Sequence, residues 1–518
     1  MNIGYIPKKI ARVNPDRDAL IDVMNDRRIS FGDLDRRIDA LSGIFAGQFG
    51  LRKGDRVAIL AKNCIQYMEI FYAAAASGLI VMPLNWRLSE PELLNVLADG
   101  EPSLVVAAEE YREQVVSLRG IADCKQWLMF SQQPGCDYEL AIASAMDTAP
   151  VTQVEVVPTD PMLILYTGGT TGQSKGALHT HYSVFMGMVN QTVAERILPT
   201  DVYMLTGQMF HIPVALAINY MAHGCPVVLI NFDAKLALEV IQRERVTAFL
   251  GITTMINWMM AVDNFDQYDL SSLRNFQYGG GPMPPAVVEA AMRAFPGTII
   301  QGYGQTEGVT MSFLSQEDHQ KAIVGDNPQR LASCGRAGFV TDLQVVDAEG
   351  VPVPKNGTTA GEVIVKSGAN MVGYWRRPEL TAQTLRNGWM WTGDIAVWDA
   401  EGYVYIVDRA KDMIISGGEN IYSTQVESAL HQHPAVLESA VFGVPDDVWG
   451  ESVKAVVVLK PGLQASEEEL IAEAGRHLAS YQKPKSIDFV VELPKAPTGK
   501  ILKRMLRDPY WKDSGRDV

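Results

Sequence analysis

Runs of four or five apolar residues, set off by glycine or proline and alternating with amphipathic stretches, recur through the first four-fifths of the chain. Residues 162–166, 57–60 and 79–82 read as buried strands, and 65–76 reads as the helix between the last two. The alternation continues with strands at 202–206, 227–230 and 248–251 and helices at 214–223 and 236–245. Repeated strand–helix–strand units with apolar strands predict an α/β fold of parallel-rich sheets covered by helices. Between 332 and 405 the pattern shifts to short alternating segments among many glycines, such as 343–346 and 362–366, which predicts a small β-rich subdomain. After Asp408 a helix at 423–431, strands near 437–441 and 452–459 and a further helix follow. That last helix starts at Ser466, whose Glu469 three residues on has the form of a capping box. These elements predict a small α+β domain of about a hundred residues. The expected organisation is a large domain over 1–408, with its β-rich part at about 332–408, and a C-terminal domain over 409–518.

Composition narrows the class. A chain of 518 residues is too long for one core. Hydrophobic content of 47% with 20% charged residues is ordinary for a globular protein. Net charge is −15, from 60 acids against 45 bases, which disfavours nucleic acid and anionic membrane as partners. An anionic ligand must then be held by local donors. Cys64, Cys124, Cys136, Cys225 and Cys334 are scattered without a C-x-x-C pair, so neither a disulfide framework nor a zinc site is expected, and a reducing cytoplasm fits. The N-terminus lacks a signal-peptide run. The longest apolar stretch, 71–84, is broken by Ser77 and Gly78 and is too short to span a membrane. Arg516-Asp517-Val518 is no peroxisomal address.

Local donors are concentrated in T-G-G-T-T-G-Q-S-K-G, residues 167–176. Gly168, Gly169, Gly172 and Gly176 let backbone amides approach a ligand, while Thr167, Thr170, Thr171 and Ser174 add hydroxyls and Lys175 a compact cation. Amides, hydroxyls and an ammonium on one loop make a cradle for a polyphosphate. A Walker-type loop is excluded by spacing, because Ser174 precedes Lys175 and Gly176 follows it. The rival reading of such a Gly/Ser/Thr cluster is a flexible surface loop.

Four further segments join it: Gly302-Tyr303-Gly304-Gln305-Thr306-Glu307, Thr392-Gly393-Asp394, Asp408-Arg409 and Pro497-Thr498-Gly499-Lys500. In this order, over almost the whole chain, the set resembles the adenylate-forming superfamily of acyl-CoA synthetases, adenylation domains and beetle luciferases. The resemblance implies ATP, Mg²⁺ and coenzyme A. The 167–176 loop would take the β- and γ-phosphates, Thr306 would lie at the α-phosphate and Glu307 would hold the magnesium ion. Tyr303 would stack on adenine, Gly279-Gly280-Gly281 would let backbone approach the nucleotide, and Asp394 and Arg409 would bind ribose. Lys500, just before a short helix at 501–506, would reach the acyl carboxylate and α-phosphate. The C-terminal domain would be mobile about a hinge at Lys411. Rotation there would withdraw Lys500 and bring Ser416, Gly417, Gly418 and Glu419 to the pantetheine, with Trp449 either at the nucleotide end of coenzyme A or packed in a core.

The expected reaction is AMP-forming acid–thiol ligation, in which a carboxylic acid and ATP give acyl-AMP and pyrophosphate, and coenzyme A then gives acyl-CoA and AMP. By the same resemblance His211 and Ile212 would line the carboxylate entrance, and Gly281, Gly302, Gly304, Val309 and Thr310 the acyl pocket. His211 is equally readable as a hydrogen-bonded core histidine. The glycines suggest a wide pocket for an apolar, aromatic, branched or fatty acid, and no charged residue marks a substrate ammonium. His179 and His181 lack a third metal ligand and read as structural. Two other readings stand beside the ligase: an adenylation enzyme that loads a carrier protein, and a non-catalytic acyl-nucleotide sensor. The sequence leaves the acid and the oligomeric state open, a homodimer included.

Overall fold

The computed structural model describes residues 1–124, 126–133, 135–146, 154–167, 174–281, 283–417, 419–446, 448–495 and 501–512. The chain divides into two compact units. The first takes Met1–Gly169, Gln173–Leu343 and Val365–Met390, and the second takes Thr170–Gly172, Gln344–Ile364 and Trp391–Val518.

Among its described residues the first unit holds a nine-stranded and a seven-stranded sheet. In the larger sheet Asp18–Asp22, Val227–Leu229, Tyr203–Leu205, Ala248–Gly251, Asn275–Gly279 and Thr298–Gln305 run parallel in that spatial order. Antiparallel strands close it, Arg27–Ser30 on one side and Val309–Leu314 with Arg336–Ala337 on the other. In the smaller sheet Pro161–Thr167, Ile80–Pro83, Arg56–Leu60, Leu104–Ala108 and Trp127–Phe130 are parallel, while Lys175–Thr180 and Gly373–Tyr374 add antiparallel strands beside Pro161–Thr167. The central strands are apolar on both faces because helices cover both, as parallel sheets require. Helix Ile65–Ala76 shows the limit of this: all of its residues are buried, in keeping with its lack of a polar face.

In the second unit Trp389–Trp398 pairs antiparallel with Val404–Arg409. The C-terminal part is a sheet of Glu419–Ile421, Ile414–Ser416, Gly450–Leu459 and Val436–Asp446, with Ser486–Phe489 parallel to Gly450–Leu459. Helices Ser423–Leu430 and Glu467–Ala474 pack on it around Ile414, Val426, Leu430, Val441, Val457 and Leu470. The capping box at Ser466 and Glu469 forms. The last helix, Lys503–Trp511, starts later and runs further than its sequence indicates, because buried Trp511 bonds through its indole N–H to Gly443 O at 3.0 Å.

Candidate active site

The glycine-rich loop joins two antiparallel strands. Thr167 lies opposite Lys175 in the ladder of Pro161–Thr167 with Lys175–Thr180, and Thr167 Oγ1 donates to Lys175 O over 3.4 Å. A Walker loop instead leads a strand into a helix. Gly168, Gly169, Thr170, Thr171 and Gly172 lie outside the described residues. Where the strand returns, Lys175 Nζ stands 5.4 Å from the centre of the Tyr374 ring.

That ring leads to the second motif. Thr298–Gln305 and Val309–Leu314 form a hairpin whose turn is Thr306-Glu307-Gly308. Tyr374 Oη donates to Glu307 Oε1 at 2.7 Å, and the Met371 amide donates to Glu307 O at 2.7 Å. On the other side His179 Nε2 lies 2.8 Å from Thr306 O, so this nitrogen carries the proton. Burial lowers the pKa of His179, which keeps the ring neutral. Burial and then the Glu307 charge raise the pKa of Tyr374, which keeps its hydroxyl a donor. Lys175, Thr306, Glu307 and Tyr374 thereby form one group.

His179 thus positions a motif residue. His181 Nδ1 accepts from Ile3 N at 3.1 Å, and burial takes its pKa down to about 4. Neither histidine belongs to a metal cluster, and no group of three His, Cys, Asp or Glu that could hold an ion occurs among the described residues. One carboxylate, Glu307, still suits magnesium, which keeps much of its water and takes phosphate oxygens as ligands.

The glycines assigned to the acyl wall meet this chain's own atoms to different degrees. Gly279 lies beside Gly302, and a Cβ on Gly279 would overlap Gly302 O. A Cβ on Gly302 would overlap Gln277 Nε2, and one on Gly304 would overlap Val309 O. Their missing side chains therefore allow close approach of main chain and of the Gln277 amide. Gly280 takes a left-handed φ of 77°, and around Gly281 a Cβ would meet open space. Tyr303 is half-buried, opposite Ser312. Val309 is held at a φ of 56°, a strained conformation for a β-branched residue. Thr310 O accepts from Asn190 Nδ2 at 3.1 Å.

Ile212 and Val309 border a small cavity together with Leu163, Leu165, His179 and Gln191. It offers about 20 Å³ to the centre of a water molecule. His211, beside Ile212, is half-buried. Its Nδ1 has no hydrogen-bond partner among the described residues. Burial lowers its pKa, opposed by the charge of Glu307. A satisfied core histidine would have spent that nitrogen.

In the second unit Asp394 is buried and Arg409 Nε lies 2.8 Å from its Oδ1, the two facing each other across a strand pair. Gly393 N donates to Glu362 Oε1 at 2.8 Å and Asp394 N to Thr392 Oγ1 at 3.1 Å. Asp408 accepts from Ser423 N and Oγ, and Lys411 O accepts from Arg507 at 3.1 Å. Gly417 N donates to Trp449 O at 2.7 Å, and the Trp449 ring lies against Gly417 so closely that a Cβ there would come within 2.7 Å of it. The indole remains 54% exposed, which removes the core-packing alternative. Ser416 pairs with Glu419 and with Gly450, so four of the coenzyme A candidates share one sheet corner. Gly418 and Lys500 lie outside the described residues.

Sequence reasoning missed Tyr374 and the part played by His179. The available signal for Tyr374 was weak: a Gly-Tyr pair after an apolar Met371-Val372, where an edge strand could add to the loop hairpin.

Two family models match the chain: AMP-binding enzyme over residues 8–375 and AMP-binding enzyme C-terminal domain over residues 425–500. The chain is 35% identical over 519 residues to the long-chain-fatty-acid–CoA ligase FadD13 of Mycobacterium tuberculosis (strain ATCC 25618 / H37Rv), covering 98% of each. It is 35% identical over 510 residues to the feruloyl-CoA synthase of Amycolatopsis sp., again with 98% of each covered. Among solved structures, the o-succinylbenzoate CoA synthetase of Bacillus subtilis with its acyl-adenylate intermediate matches at a TM-score of 0.83 and 27% identity, covering 97% of this chain and 98% of that one.

Proposed function

We propose, for a chain that belongs to the AMP-binding enzyme family, that Lys175, Thr306 and Glu307 handle the phosphates of ATP while His211 and Ile212 flank the acid. The chain is an ATP-dependent acid–CoA ligase. A carboxylic acid and ATP give acyl-AMP and pyrophosphate, and coenzyme A then displaces AMP to give acyl-CoA.

The observation that carries the residue assignment is the grouping of Lys175 and Glu307 around Tyr374. Attack of a carboxylate on a phosphate oxyanion meets repulsion, so the work is positioning and charge neutralisation. Lys175 contributes a fixed cation. Tyr374 and the Met371 amide hold Glu307 in one orientation, and His179 holds the Thr306 carbonyl, so that both turn residues are set before ATP arrives. Magnesium, when bound at Glu307, supplies further neutralisation of the phosphates. His211, kept neutral by burial, can border the carboxylate without pairing to it and quenching its attack.

The remaining roles rest on the motif pattern and on local geometry. Tyr303 takes adenine, and its half-buried ring suits a stacking face. Asp394 and Arg409 take ribose hydroxyls, their ion pair being a ready acceptor and donor set. Lys500 approaches the carboxylate and α-phosphate. Ser416, Gly417, Glu419 and exposed Trp449 receive coenzyme A, and Lys411 is the hinge that exchanges the two half-reactions. The acid is apolar, aromatic, branched or fatty in its body, in keeping with the lining of the cavity.

A panel of acids with ATP and Mg²⁺, with and without coenzyme A, tests this by pyrophosphate release and product mass. Acyl-CoA formation is expected. Acyl-AMP that transfers only to a carrier protein would overturn the acceptor, and no pyrophosphate with any acid would overturn the enzyme reading.

A further inference from the structure

We propose that the acid carries a hydrogen-bond donor, a hydroxyl or N–H, at the end remote from its carboxylate, and that Gln191 Oε1 receives it. This rests on the ligase reading above and narrows its substrate class.

Helix His181–Glu195 sets Gly187, Gln191 and Glu195 four residues apart, on one stripe, and all three are buried. Gln191 is 2% exposed and lines the cavity beside Val309. Its Nε2 donates to Glu195 Oε1 at 2.5 Å and to Gln277 Oε1 at 2.7 Å, which uses both amide hydrogens. The inverse amide would set its oxygen against Gln277 Oε1, an acceptor only, so that partner determines the orientation. Tyr220 Oη anchors the other Glu195 oxygen. Gln191 Oε1 is then left buried with no partner among the described residues.

The other polar groups on this cavity are spent. Asn219 Nδ2 donates to Met188 O at 3.1 Å and its Oδ1 accepts from Thr192 at 3.1 Å. His179 is engaged by Thr306 O and Ser183 Oγ. Leucine, valine and methionine supply most of the remaining surface. An apolar tail end would leave the Gln191 oxygen dry, at the full desolvation penalty of an unpaired acceptor. A donor would satisfy it. The room, about 20 Å³ to a water centre, fits one hydroxyl-sized group, so only the far tip of a substrate belongs there. The Gln277 amide, which occupies the space under Gly302, locks Gln191 to the acyl wall and keeps the acceptor in place.

The test is a set of acid pairs that differ only at the tip: para-hydroxyaryl acids against their para-methoxy and unsubstituted counterparts, and terminally hydroxylated straight-chain acids against plain ones. Pyrophosphate release with ATP and Mg²⁺ gives kcat/KM for each. The hydroxylated member is expected to win by about 10- to 100-fold in at least one series. In Gln191→Met, which keeps the length and removes the acceptor, that preference should collapse and the unsubstituted acid should gain. Equal use of both members by the wild-type enzyme across every series overturns the inference while the ligase reading stands, and this holds even should the variant fail to fold. A preference that survives unchanged in folded Gln191→Met also overturns it. Absence of pyrophosphate with every acid removes the ligase reading and this inference together.

Discussion

Tyr374 Oη donates to Glu307 Oε1 over 2.7 Å, and the face of the same ring carries Lys175 Nζ at 5.4 Å. One phenol thus ties a carboxylate from the Thr306-Glu307-Gly308 turn to the cation that closes the glycine-rich loop. Tyr374→Phe keeps the ring under Lys175 and removes only the hydrogen bond. Its kcat for pyrophosphate release should fall roughly tenfold, and half-saturating magnesium should rise, since a bond to a charged group is worth about 1.5–3 kcal/mol. Titration of activity with magnesium checks both, and chelation should abolish pyrophosphate release in wild type and variant alike.

His179→Ala leaves Thr306 O unpartnered in a buried site and should cost about 1–3 kcal/mol of stability along with most of kcat. His179→Gln, able to donate at the same place, should recover part of both. Urea denaturation paired with steady-state kinetics separates the positioning effect from simple loss of fold.

Lys500→Ala is expected to slow adenylation by about 100- to 1000-fold, the range for removing one oriented charge from a reaction centre. Thioester formation from supplied acyl-AMP should proceed at the wild-type rate. Equal losses in both half-reactions would show that Lys500 serves folding or both steps.

Burial raises the carboxyl pKa of Glu195 to about 7, against the donations of Tyr220 and Gln191 and the charge of Arg274. With an unfolded value near 4.5, the folded state holds the proton more tightly. Glu195 therefore contributes fully below pH 4.5, and stability falls as pH rises from there to about 7, by up to about 3 kcal/mol. Glu195→Gln should remove this component. The stability difference between variant and wild type, followed from pH 4.5 to 8, should grow in favour of the variant and then level off.

Gly302→Ala adds a methyl where the Gln277 amide already sits. Overpacking of this kind costs about 1–3 kcal/mol. A matching fall in urea midpoint, with acid use impaired, is the expected outcome.

The architecture was legible because apolar runs such as 57–60 and 248–251 lie in doubly covered sheets, where burial on both faces leaves no alternation to misread. Motif residues with unusual chemistry, Lys175 and Glu307, were also legible, and the structure groups them. Tyr374 and Gln191 were not. Neither belongs to a motif of its own, and its meaning comes from partners far along the chain, Glu307 for one and Gln277 for the other. The acyl glycines are ambiguous for a related reason. A glycine marks a place where a side chain cannot be, but sequence does not tell whether a ligand or a neighbouring main chain claims the space.

Gly279, Gly302 and Gly304 each face an atom of this chain's own backbone or of Gln277. Laboratory evolution toward new acids should then find the Gly279 and Gly304 codons, whose neighbours are main chain, nearly immutable. Altered selectivity would arise at Val184, Gly187, Met188 and Gln191, which line the small cavity from a single helix, and that makes the helix the natural target for a small focused library.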